Sequence, residues 1–563
     1  MLGLFAEVPV VPEGGEGRDR GEDRVAPAGR ATLIATLTAP LTAALAAELA
    51  DVDWLEVRAD LLGDVDPEPL RRQFAGKLLY TLRSRAEGGG YDGSAERRRR
   101  RLVEAAARYD RVDLEAARDL RADVLDAVPP ERRIVSWHGP AADLAALESC
   151  FARMIAADAA LYKLVPTGAQ PGDDLAPLLF LHRLERSDVV AFAGGPAGVW
   201  TRLVAPRLGA PVVYGAAGDL PGAPGQPTIA TLRGDYGLPA LPPISALFGI
   251  VGDPVAHSLS PRLHNAAYRE LGIPALYVPF QAASFGDFWL EVVEGGVLEE
   301  IGLPIHGLSV TAPHKAAALA VAGAESPLAT LIGAANTLVL RDTVWEAEST
   351  DPEGVVTPLR QRGLDPAPRR AAVLGAGGAG RAAAVGLARA GAAVTLFNRT
   401  PERATQAAEA LGLPCLPLAD LVPAEFDILV NATPLGQGYA EAPASVGTAG
   451  AEATAASPGT AAAGTTGGAG TTGGAGTVSA PLPFPVDALR PGAIVIDLVY
   501  RRPGTGPTPL LAAAAAQGAA TVDGREVLLG QAQPQFRLMT GRDLPLPLAR
   551  RLLDLPPEPG PHA

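Results

Sequence analysis

Eight short apolar runs, each followed by a stretch rich in Ala, Leu and Arg, recur in series between residues 31 and 216 of this 563-residue chain. This alternation restricts the fold strongly, because a helix after every strand returns the chain to the same edge of the sheet and makes the strands parallel. Eight such units predict a closed parallel (β/α)8 barrel in an α/β protein. The runs occupy residues 32–39, 54–60, 77–83, 111–116, 132–138, 161–166, 189–195 and 211–216.

Composition divides the rest of the chain. Residues 1–30 mix charged residues with Gly and Pro, and we expect a disordered arm before a barrel at 31–235. A Pro- and Gly-rich stretch at 221–243 ends the barrel and predicts a flexible linker. An αβ domain at 245–345 and a Rossmann domain at 346–555, with C-terminal helices completing the module, are expected to follow.

Inside the Rossmann segment, the Gly/Ala/Thr tract at 447–479 has too few large apolar side chains to pack. We expect it to be a disordered insertion.

Charge and composition narrow the class of partner. The chain carries 62 acidic and 48 basic side chains, a net charge of −14, which disfavours nucleic acid as a partner. The arginine run at 97–101 is predicted to be a solvated helix face. No apolar stretch is long enough to span a bilayer, so we expect no membrane association. The two cysteines, Cys150 and Cys415, are too few for a disulfide framework, which favours a reducing compartment and predicts a cytoplasmic protein.

Lysine is rare in this chain. Of the 48 basic residues only Lys77, Lys163 and Lys315 are lysines, and the others are arginines. An amine can lose its proton when buried and can attack a carbonyl, whereas a guanidinium stays charged. Lys77 opens an apolar strand and is interpreted as structural. Lys163 and Lys315 stand among polar residues that indicate chemistry.

The barrel's polar residues collect near the carboxyl ends of its strands, where such barrels keep their active sites. Lys163 is predicted to end an apolar strand, where burial would lower its pKa and make it available for an imine. His138 ends the preceding strand, so both side chains can face one pocket. An imine with a nearby imidazole fits elimination or aldol chemistry. Forked hydrogen bonds to a substrate carboxylate are expected from Arg58, Arg83 and Arg202.

The barrel resembles the type I 3-dehydroquinate dehydratases over about residues 31–233. The matching motifs are E-V-R-A-D at 56–60, T-L-R-S-R-A-E-G-G at 81–89, S-W-H at 136–138, Lys163, T-R-L at 201–203 and A-P-G-Q at 223–226. The resemblance implies that Lys163 forms a Schiff base with 3-dehydroquinate, that His138 is the acid/base and that Glu87 orients it. It implies substrate binding by Glu56, Arg58, Arg83, Arg202 and Gln226. Gly222 departs from the family, which usually offers a serine there, and Gly139 replaces an acidic or amide residue.

A glycine fingerprint follows a predicted strand and opens an alanine-rich helix at 371–381. Its glycines permit a tight turn and the close approach of a pyrophosphate to the helix N-terminus. The next strand ends in Asn398 and Arg399 rather than in the acidic residue that binds the ribose of NAD, which predicts NADP. The predicted cofactor-binding residues are Gly375, Ala376, Gly377, Gly378, Ala379, Gly380, Asn398, Arg399, Thr400 and Arg403.

Polar loops lie upstream of this fingerprint, at 252–265, 308–315, 333–337 and 349–354. Their hydroxyls and amides suit a polyhydroxylated ring, and a Lys/Asp couple can transfer a proton beside a carbonyl that is being reduced. The set resembles shikimate dehydrogenase over about residues 247–553. The resemblance assigns 245–345 to shikimate binding and implies that Lys315 and Asp351 are the catalytic pair. It implies that shikimate is held by Ser258, Ser260, Thr311, Asn336 and Gln531. Ser309 and Ser349 replace asparagines that are usual in the family.

These resemblances together imply a bifunctional shikimate-pathway enzyme acting on small molecules. The barrel would dehydrate 3-dehydroquinate, and the second half would reduce the product with NADPH. Two alternatives stay open: a shikimate or quinate dehydrogenase with a degenerate barrel, and a non-catalytic sensor of pathway metabolites. The presence of both Lys315 and Asp351 argues against the sensor.

Overall fold

The computed structural model describes residues 29–168, 170–184, 186–435 and 482–557. Residues 1–28 of the predicted arm and the whole 447–479 tract lie outside these ranges. The described residues form two compact units. One takes in the chain up to Thr357 and again from Leu528 onward, and the other is Pro358–Val527. The end of the predicted Rossmann segment therefore groups with the first unit.

A parallel barrel begins the first unit. Its strands, in the sheet order β7-β6-β5-β4-β3-β2-β1-β8, follow the predicted runs closely. Among the described residues no ladder joins β7 to β8, so the barrel is nearly closed rather than fully closed, and β7 is only three residues long. The strands are β1 Thr32–Leu37, β2 Trp54–Arg58, β3 Lys77–Thr81, β4 Arg111–Glu115, β5 Arg133–Gly139, β6 Leu161–Pro166, β7 Val189–Ala191 and β8 Val212–Ala216.

Helices separate these strands, as the alternating pattern predicts. Several begin at a capping side chain: Ser94, for example, accepts a hydrogen bond from the backbone N–H of Arg97 at the start of the fourth helix. The helices are α1 Ala43–Glu48, α2 Ala59–Leu62, α3 Pro67–Arg71, α4 Ala95–Ala106, α5 Ala122–Ala127, α6 Leu144–Met154, α7 Ala176–Arg183, α8 Val199–Val204 and α9 Ile229–Tyr236.

The arginine run on α4 does not form a uniformly solvated face, which corrects the sequence prediction. Arg98 and Arg101 are buried, and they donate to Asp119 and Asp64 respectively. Two of these arginines therefore fasten the helix to neighbouring loops, because positions three apart on a helix share one face.

A six-stranded mixed sheet forms the second part of this unit, in the order β10-β9-β11-β13-β14-β12, with β13 antiparallel to both of its neighbours. Its strands are β9 Ala246–Gly252, β10 Ala275–Gln281, β11 Ile305–Val310, β12 Ala324–Glu325, β13 Thr337–Arg341 and β14 Val344–Glu348. The associated helices are α10 Ser260–Leu271, α11 Phe285–Phe288, α12 Val297–Glu300, α13 Lys315–Val321, α14 Pro327–Ile332 and α15 Asp351–Gln361.

The barrel and the mixed sheet share one continuous cluster of buried apolar residues. The Trp200 and Phe280 rings, one from each part, lie 5.1 Å apart. Arg262 on α10 pairs with Asp235 on α9 at 2.7 Å. The Pro- and Gly-rich stretch at 221–243 therefore does not behave as a flexible tether, because it contains the barrel helix α9 and because the barrel and the mixed sheet are packed together.

The second unit contains a fully parallel sheet in the order β17-β16-β15-β18-β19-β20. This is the doubly wound order of a dinucleotide-binding fold and confirms the Rossmann prediction. The strands are β15 Arg370–Leu374, β16 Ala393–Asn398, β17 Cys415–Pro417, β18 Ile428–Asn431, β19 Ile494–Asp497 and β20 Ala520–Val522. The remaining helices are α16 Gly378–Arg389, α17 Pro401–Leu411, α18 Pro509–Ala516, α19 Gly524–Thr540 and α20 Leu546–Leu552. None of the helices in the described ranges is both long enough and apolar enough to cross a bilayer.

Candidate active sites

A pocket at the carboxyl ends of the barrel strands brings together all eight residues that the resemblance assigns to the barrel site. β2, β5 and β6 supply charged or basic side chains from the barrel wall, and the loop between β8 and α9 covers one side. The pocket is lined by Thr36, Glu56, Arg58, Thr81, Arg83, Glu87, Gly88, His138, Lys163, Val165, Phe192, Gly194, Arg202, Tyr214, Gly222, Ala223 and Gln226.

Lys163 is buried in this pocket at 6% exposure. It is the third of six residues in β6, so the prediction that it ends the strand is wrong, and its amine lies deeper in the barrel. Its Nζ stands over the Tyr214 ring, 4.0 Å from the centroid. Burial lowers the pKa of Lys163 to about 8, although the carboxylates of Glu56 and Asp113 oppose the shift. About a tenth of the amine is therefore uncharged at pH 7.

Among the charged groups around this amine, Glu56 has the largest effect on its pKa. Its carboxylate accepts hydrogen bonds from the hydroxyls of Thr36 at 2.7 Å and Thr81 at 2.9 Å. Burial acts to raise the pKa of Glu56, but the charges of Lys163 and Arg58 and the two hydroxyls outweigh it, so the pKa lies below its usual value. Glu56 is therefore ionised at neutral pH.

His138 and Glu87 form a couple above Lys163. β5 and β6 pair Ser136 with Lys163 and His138 with Val165, which puts His138 and Lys163 on the same inward face. Glu87 Oε2 lies 3.3 Å from His138 Nδ1 and accepts from the His138 backbone N–H at 3.0 Å. Burial and then the charge of Arg83 hold the pKa of His138 well below its usual value. The imidazole is thus neutral, with Nδ1 toward Glu87 and Nε2 available as a base.

Arg83 contacts protein groups on several sides. Its Nη2 donates to both carboxylate oxygens of Asp113 at 3.0 Å, and its Nη1 donates to Ser136 at 2.9 Å. Glu87 and Glu115 complete its surroundings at 3.3 and 3.4 Å. Burial opposes the charge on Arg83, but these carboxylates outweigh it and raise its pKa. The structure therefore supports Arg83 as a source of charge beneath His138, and its predicted contact with substrate stays a prediction.

Arg202 and Arg58 differ in how many hydrogen bonds their guanidinium groups form within the protein. The Arg202 guanidinium lies on the Phe192 ring at 4.1 Å, and its buried Nε has no partner among the described residues. Burial lowers the pKa of Arg202 to about 10. Arg58 instead forms a fork to Asp60 at 2.7 and 2.9 Å and donates to the Gly222 carbonyl. Arg202 is therefore the less fully bonded of the two, and its predicted contact with a substrate carboxylate stays a prediction.

The mixed sheet brings a second set of predicted residues together. Lys315 opens α13, Asp351 opens α15, and Lys315 Nζ donates to Asp351 Oδ2. Asn336 Nδ2 donates to Asp351 Oδ1 at 2.8 Å, and Asn336 Oδ1 accepts from the Thr350 backbone N–H at 2.9 Å. The pair is mostly covered, with 15% of the lysine side chain and 8% of the aspartate side chain exposed.

The other four residues predicted to hold shikimate are linked by fewer hydrogen bonds. Ser258 Oγ accepts from the backbone N–H of Ser260, which is buried at the start of α10. Thr311 follows β11, and Gln531 is half-buried on α19. All four lie in the same compact unit as Lys315. Their contact with a ligand stays a prediction.

The glycine loop of the second unit fits a dinucleotide. Gly375 has a φ of +107°, and a Cβ at Gly380 would lie 1.8 Å from the Gly375 carbonyl oxygen, so both positions need glycine. A Cβ at Gly377 would meet nothing within 4 Å, which leaves open space at the N-terminus of α16. Asn398 Oδ1 accepts from the Ala376 backbone N–H at 3.3 Å. Arg399 and Arg403 are exposed, and neither forms an ion pair within the described part of the chain.

Comparisons with known proteins agree with this division. Residues 33–240 match the type I 3-dehydroquinase family, and residues 250–338 match the shikimate dehydrogenase substrate binding domain. The chloroplastic bifunctional 3-dehydroquinate dehydratase/shikimate dehydrogenase of Arabidopsis thaliana is 30% identical over 527 residues, covering 88% of this chain and 78% of that protein. This chain belongs to the bifunctional 3-dehydroquinate dehydratase/shikimate dehydrogenase family.

Other relatives match the second half of this bifunctional chain. The NADP(+) shikimate dehydrogenase of Rubrobacter xylanophilus is 36% identical, covering 55% of this chain and 95% of the relative. A crystal structure of shikimate 5-dehydrogenase from Thermus thermophilus in complex with NADP(H) and shikimate is 31% identical. It covers 55% of this chain and 100% of that one, with a TM-score of 0.42. These comparisons confirm the predicted family and the α/β fold class. They also confirm the paired dehydratase and dehydrogenase activities and the use of NADP.

Sequence reasoning missed several polar residues around both sites of this bifunctional enzyme. In the barrel these are Thr36 and Tyr214, and the available signal was their inward position in predicted strands. Near the second site, the Tyr277 hydroxyl donates to Ser309, which donates to Gln535 Oε1 at 2.7 Å. Gln535 Nε2 then donates to Thr337 at 2.8 Å. Gln535 lies four residues after Gln531, on the same face of α19.

Proposed function

We propose that Lys163 is the Schiff-base nucleophile of the dehydratase and that Lys315 and Asp351 handle the proton in the reduction. The observation that carries the first role is a buried amine, with a pKa lowered to about 8, in one pocket with a neutral histidine. A free amine of this kind can add to the substrate carbonyl and expel water to give an imine.

His138 supplies the acid and base steps in the barrel. The positive imine draws electrons from the adjacent carbon, so His138 Nε2 can remove a proton there. The same imidazole then returns that proton to the departing hydroxyl, and hydrolysis of the imine frees 3-dehydroshikimate and restores Lys163. Glu87 holds the imidazole through Nδ1. Glu56, Arg58, Arg202 and Gln226 bind the hydroxyls and the carboxylate of 3-dehydroquinate.

The second half reduces the product of the first. NADPH supplies the hydride when it is bound to the glycine loop between β15 and α16. Lys315 donates a proton to the carbonyl oxygen of 3-dehydroshikimate. Asp351 holds the Lys315 ammonium in place, and Asn336 in turn holds Asp351. Ser258, Ser260, Thr311 and Gln531 bind the ring substituents. Arg399 and Arg403 pair with the 2′-phosphate of NADP, since a cation replaces the acidic residue that favours NAD.

One coupled assay tests both halves. The full chain is given 3-dehydroquinate and NADPH, and both nucleotide oxidation and shikimate formation are followed. We expect the two to appear together in equal amounts. Borohydride trapping with 3-dehydroquinate should give one reduced adduct, on Lys163. No adduct would favour a degenerate barrel, and no NADPH consumption with 3-dehydroshikimate would favour a metabolite sensor. A cytoplasmic location stays a prediction, and the Arabidopsis relative is named as chloroplastic.

A further inference from the structure

Thr36 lies at the centre of a hydrogen-bonded chain in the floor of the barrel pocket. Its hydroxyl donates to Glu56 Oε2 at 2.7 Å and accepts from Gln226 Nε2 at 2.9 Å. Gln226 Oε1 in turn accepts from the backbone N–H of Gly222 at 2.8 Å. One threonine on β1 therefore links a carboxylate that interacts with Lys163 to the loop between β8 and α9.

Gly222 has no room for a side chain. Its φ is outside the left-handed region, so its backbone conformation would accept any residue and only the space is restrictive. A Cβ there would lie 2.5 Å from Thr36 Cγ2 and 3.1 Å from both Arg58 Nη1 and Gln226 Oε1. Thr36 cannot turn aside easily, because it is 2% exposed, β-branched and held by two hydrogen bonds.

We propose that Thr36 is a positioning residue of the dehydratase and that Thr36 and Gly222 form a matched pair. The Thr36 methyl fills the volume that a side chain at 222 would need. The Thr36 hydroxyl fixes Gln226 and Glu56 in the orientation that the substrate meets. This inference rests on the proposed function of the barrel. It also accounts for the absence at 222 of the serine found in similar dehydratases.

Adding a side chain at 222 should disturb the loop on the side that faces the substrate. The N–H of Gly222 donates a hydrogen bond to Gln226, and its carbonyl accepts one from Arg58, so two hydrogen bonds hold the loop in place. A clash with Thr36 would disturb both hydrogen bonds and would shift the side chains of Gln226 and Arg58. Substrate binding should therefore suffer more than the chemistry at Lys163.

A double-mutant cycle tests the pair, using wild type, Thr36→Ser, Gly222→Ser and the double variant. Gly222→Ser alone should lower dehydratase kcat/KM at least about tenfold, mainly by raising KM. Thr36→Ser, which keeps the hydroxyl, should stay within about threefold of wild type. The double variant should return to within about threefold, because the methyl that causes the clash is gone. Tenfold non-additivity corresponds to about 1.4 kcal/mol of coupling.

Thr36→Val separates the two roles of this residue. It keeps the volume and removes the hydroxyl, so KM for 3-dehydroquinate should rise about tenfold while Thr36→Ser does not change it. A merely structural role for Thr36 would lower Tm without this division between KM and kcat. Shikimate oxidation by the same chains should be unchanged in all variants, which controls for folding.

Two results would overturn the matched pair. One is additivity, in which the double variant shows the product of the two single effects. The other is a Gly222→Ser variant with wild-type kcat/KM and wild-type Tm. If wild type showed no dehydration, the proposed function of the barrel would fail by itself. The Tm values of the same four proteins would still decide the pair, since Thr36→Ser should restore any Tm lost in Gly222→Ser.

Discussion

Lys163 and Lys315 lie in the same compact unit, but their surroundings prepare them for different reactions. Lys163 is buried inside the barrel, over an aromatic ring and without an ion pair among the described residues. Lys315 lies at the start of a helix and donates directly to Asp351, which Asn336 holds from the other side. Burial without a bonded partner releases an amine for attack on a carbonyl. A bonded carboxylate instead holds an ammonium in position for proton transfer. We therefore propose that one residue type serves two chemistries because its neighbours differ.

The largest effect that separates the two lysines should come from Lys163→Arg. The charge remains, but a guanidinium does not form an imine, so dehydration should fall at least about 10³-fold. Shikimate oxidation should be unchanged. Both rates would be measured on one preparation. Loss of both activities would indicate misfolding or a wrong division of labour.

Lys315→Met provides the reciprocal case. It keeps the length of the side chain and removes the ammonium, so reduction of 3-dehydroshikimate should slow by about 10²-fold, the usual size of a lost proton-transfer group. Borohydride trapping at Lys163 should remain at the wild-type level. A reductase that retains its full kcat would exclude Lys315 from proton transfer.

Arg399→Asp addresses the cofactor of the second half. The exposed cation is replaced by an acid that repels a 2′-phosphate and suits a ribose hydroxyl. KM for NADP should rise at least about tenfold more than KM for NAD. Arg403→Asp, which changes a second cation in the first turn of the following helix α17, serves for comparison. Equal changes for the two nucleotides would remove the proposed contact with the phosphate.

The pH dependence of the two activities should differ. With a pKa of about 8, the free amine of Lys163 rises roughly tenfold in fraction between pH 7 and pH 9. His138 stays neutral over this range because its pKa is lowered. Dehydratase kcat/KM should therefore rise about tenfold over this interval. A flat profile would show that the amine is already deprotonated or does not act as the nucleophile.

Tyr214 offers the smallest and most specific test of the barrel environment. Its hydroxyl is buried without a partner in the described structure, so Tyr214→Phe should leave dehydration within about twofold and should not lower Tm. Tyr214→Leu removes the ring face beneath Lys163 and should slow dehydration about fivefold. A large loss in the phenylalanine variant would assign a role to the hydroxyl instead of the ring.

Local pattern was enough to predict much of the fold. The eight barrel runs became strands within a few residues of their predicted limits, because alternation between apolar strands and helices is set by nearby side chains. The glycine loop was equally readable, since the need for glycine at Gly375 and Gly380 arises within one strand–turn–helix unit. The joint placement of His138 and Lys163 followed from strand order and side-chain alternation.

Other features depend on partners that are distant in the sequence. Arg98 and Arg101 look like solvated charges until Asp119 and Asp64 are brought beside them. The apparent linker at 221–243 contains α9 and is not flexible, because the barrel and the mixed sheet share a core. Gln535 reaches Ser309 across 226 positions, a contact that no local pattern encodes.

The sequence by itself determined which residues could do chemistry: three lysines among many arginines, a histidine on the strand before Lys163, and a glycine loop followed by a cation. Only the tertiary structure decided the state of each group. Burial lowers the pKa of Lys163 against the carboxylates around it, and the Thr36 methyl lies where a side chain at position 222 would begin. The physical reason is that residue type and spacing are local properties. Desolvation, Coulomb interaction and excluded volume depend on every group that the fold brings near.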